Sequence, residues 1–384
     1  MSAATLARAL SAAAIPLSSP DISADDRERV LAVLSGPTLS LGPSLAAFEA
    51  AMAEAAGTRF AVAVNSGTSA LHLCIKAAGI GEGDEVITTP FSFVASANCA
   101  LYERAIPRFV DIDIDTYNID TAQIAGAIHY KTRAILPVHV FGRPCDMRGI
   151  GSLARRHGLA VIEDACEAIG ATHEGRNIGS FGESGAFAFY PNKQITTGEG
   201  GVVVTNDENV ARLCRSWRNQ GRGEDGAWLQ HERLGYNYRL SDMNCALGLG
   251  QLSRLGEILQ KRKSVAETYR QALASVPAVI PPHPEVGMSW FVYVVRLEDE
   301  FRREHRDQIL GSLRSEGIGC NSYFSPIHLQ PYYREMFGFR RGDFPVTEHV
   351  ADRTLALPFF NNLSQNQIEV VTSSLSRAIG KITK

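Results

Sequence analysis

The spacing of hydrophobic positions divides the chain into three stretches, of which the first is helical. One helix is predicted to begin after Ser23 and to end before Gly36. A second helix begins after Pro43, where Leu45 and Phe48 open a row of apolar residues at helical spacing. These helices lead into a region with a different pattern.

From residue 60 onward, short apolar runs alternate with helical patterns. The predicted strands are Phe60–Val64, Glu85–Thr89, Arg108–Asp111, Ala134–Val138 and Ala160–Glu163. The predicted helices between them are Thr68–Ala78, Val94–Glu103, Thr121–His129 and Met147–His157. Strands that alternate with helices in this way form βαβ units on a parallel sheet that is covered on both faces. Gly185–Tyr190 and Gly201–Thr205 then give two strands without a helix between them, so we expect a hairpin-like return and a mixed sheet.

After about residue 240 the pattern predicts a smaller α+β unit. A long amphipathic helix is expected from Ser241 to about Ala274, followed by a strand at Trp290–Leu297. Helices are expected at Arg303–Glu316 and Gln365–Ala378.

The chain is therefore predicted to be an α/β protein with two domains. A large domain over residues 15–250 would hold the mostly parallel mixed sheet between helices. A small α+β domain would follow over residues 251–384, and residues 1–14 would form a loose leader.

Composition narrows the class of protein. With 384 residues, 45% of them hydrophobic, and a net charge of -3, the chain resembles an ordinary globular enzyme and has no charge excess that favours nucleic acid. The seven cysteines form no CxxC pair, so we expect no metal site, and they suit a reducing cytoplasm. No window approaches the ~20 apolar residues of a membrane span. A cytoplasmic location is the expectation.

Lys193 is the lysine whose position in the sequence predicts a catalytic role. It follows the apolar run Ala186–Tyr190 and precedes the glycine-containing turn Thr196–Gly201. A lysine at a strand end beside such a turn can project into a cleft and act as a nucleophile. A solvated loop lysine is the structural alternative.

Two further segments carry polar groups at strand ends. Ser66–Ser69 lies between a strand and a helix, where backbone N–H groups and hydroxyls bind phosphate, although Ser and Thr also serve there as ordinary helix caps. Asp164 ends an apolar strand, where its carboxylate can pair with a pyridinium nitrogen or can simply cap the next turn. A phosphate anchor, a ring-nitrogen partner and a lysine that forms a Schiff base are the three attachments that pyridoxal phosphate (PLP) requires. The three segments together predict a PLP site.

The sequence also resembles the DegT/StrS-type aminotransferases, which act mostly on nucleotide-linked keto sugars and have the fold of aspartate aminotransferase (PLP fold type I). The resemblance runs from about Ile15 to the C-terminus. It is carried by the strings Asn65–Leu71, Glu163–Ala168, Phe189–Gly201, Gly235–Asp242 and Ser325–Pro331.

This resemblance implies roles around the cofactor. Phe93 would stack on the pyridine ring, and Ser66, Gly67 and Thr68 would hold the phosphate. Asp164 would pair with the ring nitrogen, and Glu167 would lie beside the ring.

The resemblance also implies a role for Lys193, a contact with the partner subunit's site, and contacts with substrate. Lys193 would hold the cofactor covalently, and Asn237 would reach the phosphate in the other subunit of a homodimer with shared sites. Tyr323 and His328 would approach substrate, unless both are buried packing residues. Ala188 stands where many relatives have a phosphate-binding serine, and Glu167 stands where many have His or Gln.

The function that follows is transamination. Glutamate would convert PLP to its pyridoxamine form, which would then aminate a keto sugar, with Lys193 moving the proton. Because dehydratase relatives have His in place of the lysine, Lys193 favours amino transfer over dehydration. An aminocyclitol ketone as substrate, or a PLP-holding regulatory protein without turnover, are the alternatives.

Overall fold

The fold is known from a computed structural model, which describes residues 15–223 and 230–383. The predicted loose leader, residues 1–14, lies outside the described residues.

A seven-stranded mixed sheet forms the centre of the larger part of the chain. Its strands are β1 (Phe60–Val64), β2 (Glu85–Thr88), β3 (Ile106–Phe109), β4 (Thr132–Ile135), β5 (Ala160–Asp164), β8 (Ser184–Ala188) and β9 (Gly201–Thr205). They lie in the order β1-β9-β8-β5-β4-β2-β3. The pairs β3–β2, β2–β4, β4–β5 and β5–β8 are parallel, and β9 runs antiparallel to both β8 and β1. The short strands β6 (Thr172–His173) and β7 (Arg176–Asn177) form a separate hairpin.

Helices bury both faces of this sheet. Alternate residues of β1 show this directly, because Ala61 and Ala63 belong to one hydrophobic core, whereas Val62 and Val64 belong to another. The helices of this part are α1 (Ala24–Leu34), α2 (Pro43–Ala56), α3 (Gly67–Ala77), α4 (Ala95–Leu101), α5 (Thr121–Ala127), α6 (Met147–His157), α7 (Glu208–Arg218) and α8 (Asp242–Ser253).

The C-terminal part has a small antiparallel sheet and its own core. The strands β10 (Val279–Ile280), β11 (Tyr293–Leu297) and β12 (Thr354–Leu357) pair in that order. The helices are α9 (Leu255–Leu273), α10 (Arg303–Ser315), α11 (Pro331–Phe337), α12 (Pro345–Ala351) and α13 (Gln365–Gly380). Tyr269, Tyr293 and Leu375 are fully buried in one cluster that joins α9, the sheet and α13. The domain boundary at residue 250 stays a prediction.

The predicted α/β class is confirmed, and one predicted element is wrong. β8 and β9 form the expected antiparallel return, with Lys193 in their connection. The single long helix from Ser241 to Ala274 is instead two helices, α8 and α9, which meet at Arg254. The Arg254 guanidinium donates to the Asp21 carbonyl and the Asp26 carboxylate, so contacts with distant residues hold the chain where it changes direction.

Two features are absent from the described residues. None of the helices there combines the length and hydrophobicity needed to cross a membrane. Within residues 15–223 and 230–383, no three His, Cys, Asp or Glu side chains come together as a metal site.

Candidate active site

A cavity of about 510 Å³ lies at the carboxyl ends of the parallel strands. β1, β5 and β8 point in the same direction, so the segments that follow them meet at one edge of the sheet. Eight of the residues predicted for the site line this cavity: Ser66, Gly67, Thr68, Phe93, Asp164, Glu167, Lys193 and Tyr323.

The N-terminus of α3 forms one wall. Ser66 is extended at the N-cap position, and its hydroxyl accepts a hydrogen bond from the Ser69 amide at 3.1 Å. The amides of Gly67 and Thr68 head the helix, where no acceptor exists within the helix itself, so they are available to an anion. Gly67 is required sterically, because a Cβ there would lie 2.6 Å from Ala188 Cβ and 3.0 Å from Cys166 Sγ.

Asp164 also lines the cavity, at the end of β5. Its carboxylate is buried and accepts two hydrogen bonds, from the Cys166 amide at 3.1 Å and from the Ser96 hydroxyl at 2.6 Å. Both donors hold the carboxylate in one orientation at the edge of the cavity.

Lys193 extends from the β8–β9 connection between an aromatic ring and a carboxylate. Its Nζ lies 4.0 Å from the centre of the Phe291 ring and 3.5 Å from Glu167 Oε1. The other oxygen of Glu167 accepts a hydrogen bond from the Phe141 amide at 2.9 Å. Burial raises the pKa of Glu167, and the nearby ammonium of Lys193 opposes that rise.

Tyr323 and Phe93 lie on the remaining walls. The Tyr323 hydroxyl accepts a hydrogen bond from Asn192 Nδ2 at 3.4 Å. Burial raises the pKa of Tyr323 to about 12, so this hydroxyl is neutral near pH 7. Phe93 is 62% exposed, which leaves its ring free to cover a flat ligand.

Two predicted residues do not line the cavity. His328 is fully buried, bonded to Glu348 Oε1 at 3.0 Å and packed 4.8 Å from the Phe344 ring, which favours the packing alternative; its approach to substrate stays a prediction. Asn237 is exposed and forms an isolated β-bridge with Asn219, and its carbonyl accepts a long hydrogen bond from Asn65 Nδ2. Its role in a partner's site stays a prediction.

Comparison with known proteins assigns the chain to a family. The model of the DegT/DnrJ/EryC1/StrS aminotransferase family matches residues 20–376. The chain belongs to this family.

Individual relatives match the aminotransferase over almost its whole length. The spore coat polysaccharide biosynthesis protein SpsC of Bacillus subtilis (strain 168) is 37% identical over 373 residues, covering 94% of this chain and 96% of that protein. GDP-perosamine synthase of Caulobacter vibrioides is 38% identical over 369 residues, covering 95% of this chain and 98% of that protein. The structure of the putative sugar aminotransferase Spr1654 from Streptococcus pneumoniae, in its PLP form, has a TM-score of 0.91 at 26% identity, covering 96% of this chain and all of that one.

The predicted family, fold type and enzyme class are thereby confirmed, and so is the cofactor. The aminotransferase depends on PLP. Its cavity fits that group chemically. The helix N-terminus suits a phosphate, the fixed carboxylate of Asp164 suits a protonated ring nitrogen, and the amine of Lys193 suits an aldehyde. The individual residue roles remain predictions.

The sequence patterns did not identify several cavity residues of the aminotransferase. These are Ser92, Ser96, Tyr190, Asn192, Glu199 and Phe291. Tyr190, Asn192 and Glu199 lie within the string Phe189–Gly201. Ser92 adjoins Phe93 and Ser96 follows three positions after it, so position in the chain offered a weak signal for all but Phe291. Phe291 comes from the C-terminal part, and nothing local in the sequence places it against Lys193.

Proposed function

We propose that the enzyme transfers an amino group from glutamate to a nucleotide-linked keto sugar, in the synthesis of an amino sugar for a polysaccharide or glycoside. The observation that carries the proposal is the single cavity that joins Lys193, Asp164 and the N-terminus of α3 in a family of aminotransferases. The sugar and the nucleotide are inferred from the similarity to SpsC and GDP-perosamine synthase. A cytoplasmic location, where such substrates are made, stays a prediction.

The residues divide the work of amino transfer between them. PLP, when bound, supplies an electron-withdrawing ring that holds the amino group between the two half-reactions. The α3 amides bind its phosphate, and Asp164 keeps a proton on its ring nitrogen. Lys193 Nζ would take up and return the proton of the reacting substrate carbon as general acid and base. Glu167 lies 3.5 Å from Nζ and would hold the Lys193 side chain in the cavity while its amine is not bonded to the cofactor.

Polar groups on the walls suit a sugar. Asn192 Oδ1 is buried without a hydrogen-bond partner in the described residues, although its amide nitrogen bonds to Tyr323. An unpaired buried acceptor is costly unless a ligand satisfies it. We assign Asn192 Oδ1 to a donor on the substrate, either a hydroxyl or the incoming amine.

We further propose that two chains share each site. Large apolar side chains stand exposed at the cavity and near the Asn237 turn, with Tyr190 at 53% and Leu234 at 85%. Such residues, together with Phe93, favour a covering surface. A second copy in two-fold symmetry would cover both sites at once and bring each Asn237 to its partner's phosphate.

The test is direct turnover with purified holoenzyme. Glutamate is offered with GDP-, UDP- and dTDP-linked keto sugars, and 2-oxoglutarate and the aminated sugar nucleotide are measured by mass spectrometry. We expect amino sugar from at least one nucleotide-linked ketone, and none from the Lys193→Ala variant. Amination only of an aminocyclitol ketone or of free sugars would reject the nucleotide-linked substrate. Failure to release 2-oxoglutarate with any ketone would reject glutamate as donor, and the same failure with every amino acid would favour a regulatory protein.

A further inference from the structure

Two buried serines form a row of hydrogen bonds with the carboxylate of Asp164. Ser96 Oγ is 2.6 Å from Asp164 Oδ2, and Ser92 Oγ is 2.7 Å from Ser96 Oγ. Ser92 and Ser96 are only 4% and 2% exposed, so little solvent reaches this row of three groups.

The direction of these hydrogen bonds follows from counting protons. An ionised carboxylate can only accept, so the single hydroxyl proton of Ser96 is donated to Asp164 Oδ2. The Phe93 carbonyl also lies near Ser96 Oγ, but at 3.1 Å it is the more distant acceptor and an uncharged one. With its proton used, Ser96 can only accept from Ser92. The row therefore runs from Ser92 to Ser96 to Asp164.

We propose that Ser96 is a positioning residue that fixes the Asp164 carboxylate against the ring nitrogen of PLP, and that Ser92 orients Ser96. The proposal rests on the function proposed above for Asp164. A charge-assisted hydrogen bond is short and directional, so the bond from Ser96 holds one oxygen of the carboxylate while the Cys166 amide holds the other. A carboxylate fixed in this way would face the ring nitrogen and keep a proton on it, which makes the ring electron-withdrawing.

The fold explains why this donor comes from α4. Ser92 and Ser96 flank Phe93, and Ser96 lies in the first turn of that helix. The backbone that carries the ring-stacking residue therefore also carries the hydrogen bond to the ring-nitrogen partner. One segment would thus contact the face of the cofactor ring through Phe93 and orient the carboxylate at its ring nitrogen through Ser96.

The experiment measures the proton directly, with PLP labelled with ¹⁵N in its ring. The ring-nitrogen resonance and the dissociation constant for PLP are determined for wild type, Ser96→Ala, Ser96→Thr and Ser92→Ala. In Ser96→Ala we expect the resonance to move toward that of an unprotonated nitrogen, and PLP to bind and turn over roughly 10-fold less well, as expected for loss of a hydrogen bond to a charged group. Ser96→Thr keeps the hydroxyl and should stay close to wild type. Ser92→Ala should show a smaller change in the same direction.

A merely structural role would lower the thermal midpoint of the cofactor-free protein in Ser96→Ala without moving the resonance, and that result would overturn the proposal. Asp164→Asn separates this failure from that of the underlying function. If Asp164→Asn moves the resonance while Ser96→Ala does not, Asp164 keeps its role and Ser96 has none. If neither variant moves it, the role of Asp164 fails as well.

Discussion

At the scale of single residues, Glu167 is a carboxyl group that is buried where a negative charge is costly. Its carboxyl is enclosed beneath the Phe141 amide and the lysine ammonium, and the cost of burying its charge raises its pKa above 4.5. A carboxyl with a raised pKa in the folded state stabilises the fold while it is protonated. That contribution is complete below the unfolded pKa, and it is lost as the pH rises through the folded pKa.

We therefore predict that Glu167→Gln makes the cofactor-free enzyme more stable than wild type by a margin that grows from pH 4.5 toward pH 8. Thermal unfolding midpoints measured across this range test it. Glu82→Gln, at a side chain that is 75% exposed and pairs with Arg104, is the matched control and should show no such trend. A margin that shrinks with rising pH would mean that the ammonium of Lys193 outweighs burial.

The sequence identifies residues whose chemistry is tied to a local motif, and it misses those supplied by distant parts of the chain. Lys193 and Asp164 stand at strand ends and could be predicted to lie at one cavity. Phe291 reaches the same lysine from the segment just before β11, so only the folded structure reveals it. His328 lies in one of the strings that carry the family resemblance, but its burial and its hydrogen bond to Glu348 could not be read from that string.

At the scale of elements, the approach of α3 to β8 determines the phosphate-binding end. Gly67 opens the helix where Ala188 and Cys166 leave no room for a side chain. We predict that Gly67→Ala displaces the helix N-terminus and weakens PLP binding by on the order of tenfold, as expected for the loss of one hydrogen bond to a charged group.

Titration of PLP into the cofactor-free enzyme measures this effect. Gly81→Ala serves as control, because a Cβ there meets no atom within 4 Å. Adding Ala188→Gly to Gly67→Ala removes the closer of the two contacts and should restore part of the affinity. Wild-type affinity in Gly67→Ala would show that the phosphate does not depend on this helix terminus.

Helices and strands could be predicted where the residues within the element determine its bounds. The strands Phe60–Val64 and Gly201–Thr205 and the helix Met147–His157 have the predicted bounds, because their apolar positions coincide with burial on the sheet. The break between α8 and α9 was not predictable, since no proline marks it and the contacts of Arg254 with Asp21 and Asp26 span more than 220 positions.

At the scale of the whole molecule, the remaining question is whether the active unit is two chains. Asn237 is exposed and does not line its own chain's cavity, while Ala188 provides no hydroxyl for the phosphate inside it. Both facts suit a site completed by the partner's Asn237. Shared sites make a quantitative prediction for mixtures of two inactive variants, because a heterodimer can gather both lesions in one site.

Lys193→Ala lacks the amine, and Asn237→Asp places a negative charge against the phosphate, so each homodimer should be nearly inactive. In their heterodimer, one site carries both lesions and the other carries neither. Random mixing makes half of all dimers heterodimers, so unfolded and refolded equal mixtures should recover up to about a quarter of wild-type activity. Lys193→Ala mixed with Asp164→Asn is the control, because both residues belong to the same chain's site and every site in that heterodimer keeps one lesion. If the Asn237 mixture recovers no more than this control while heterodimers are shown to form, Asn237 serves its own chain and the shared-site model is wrong.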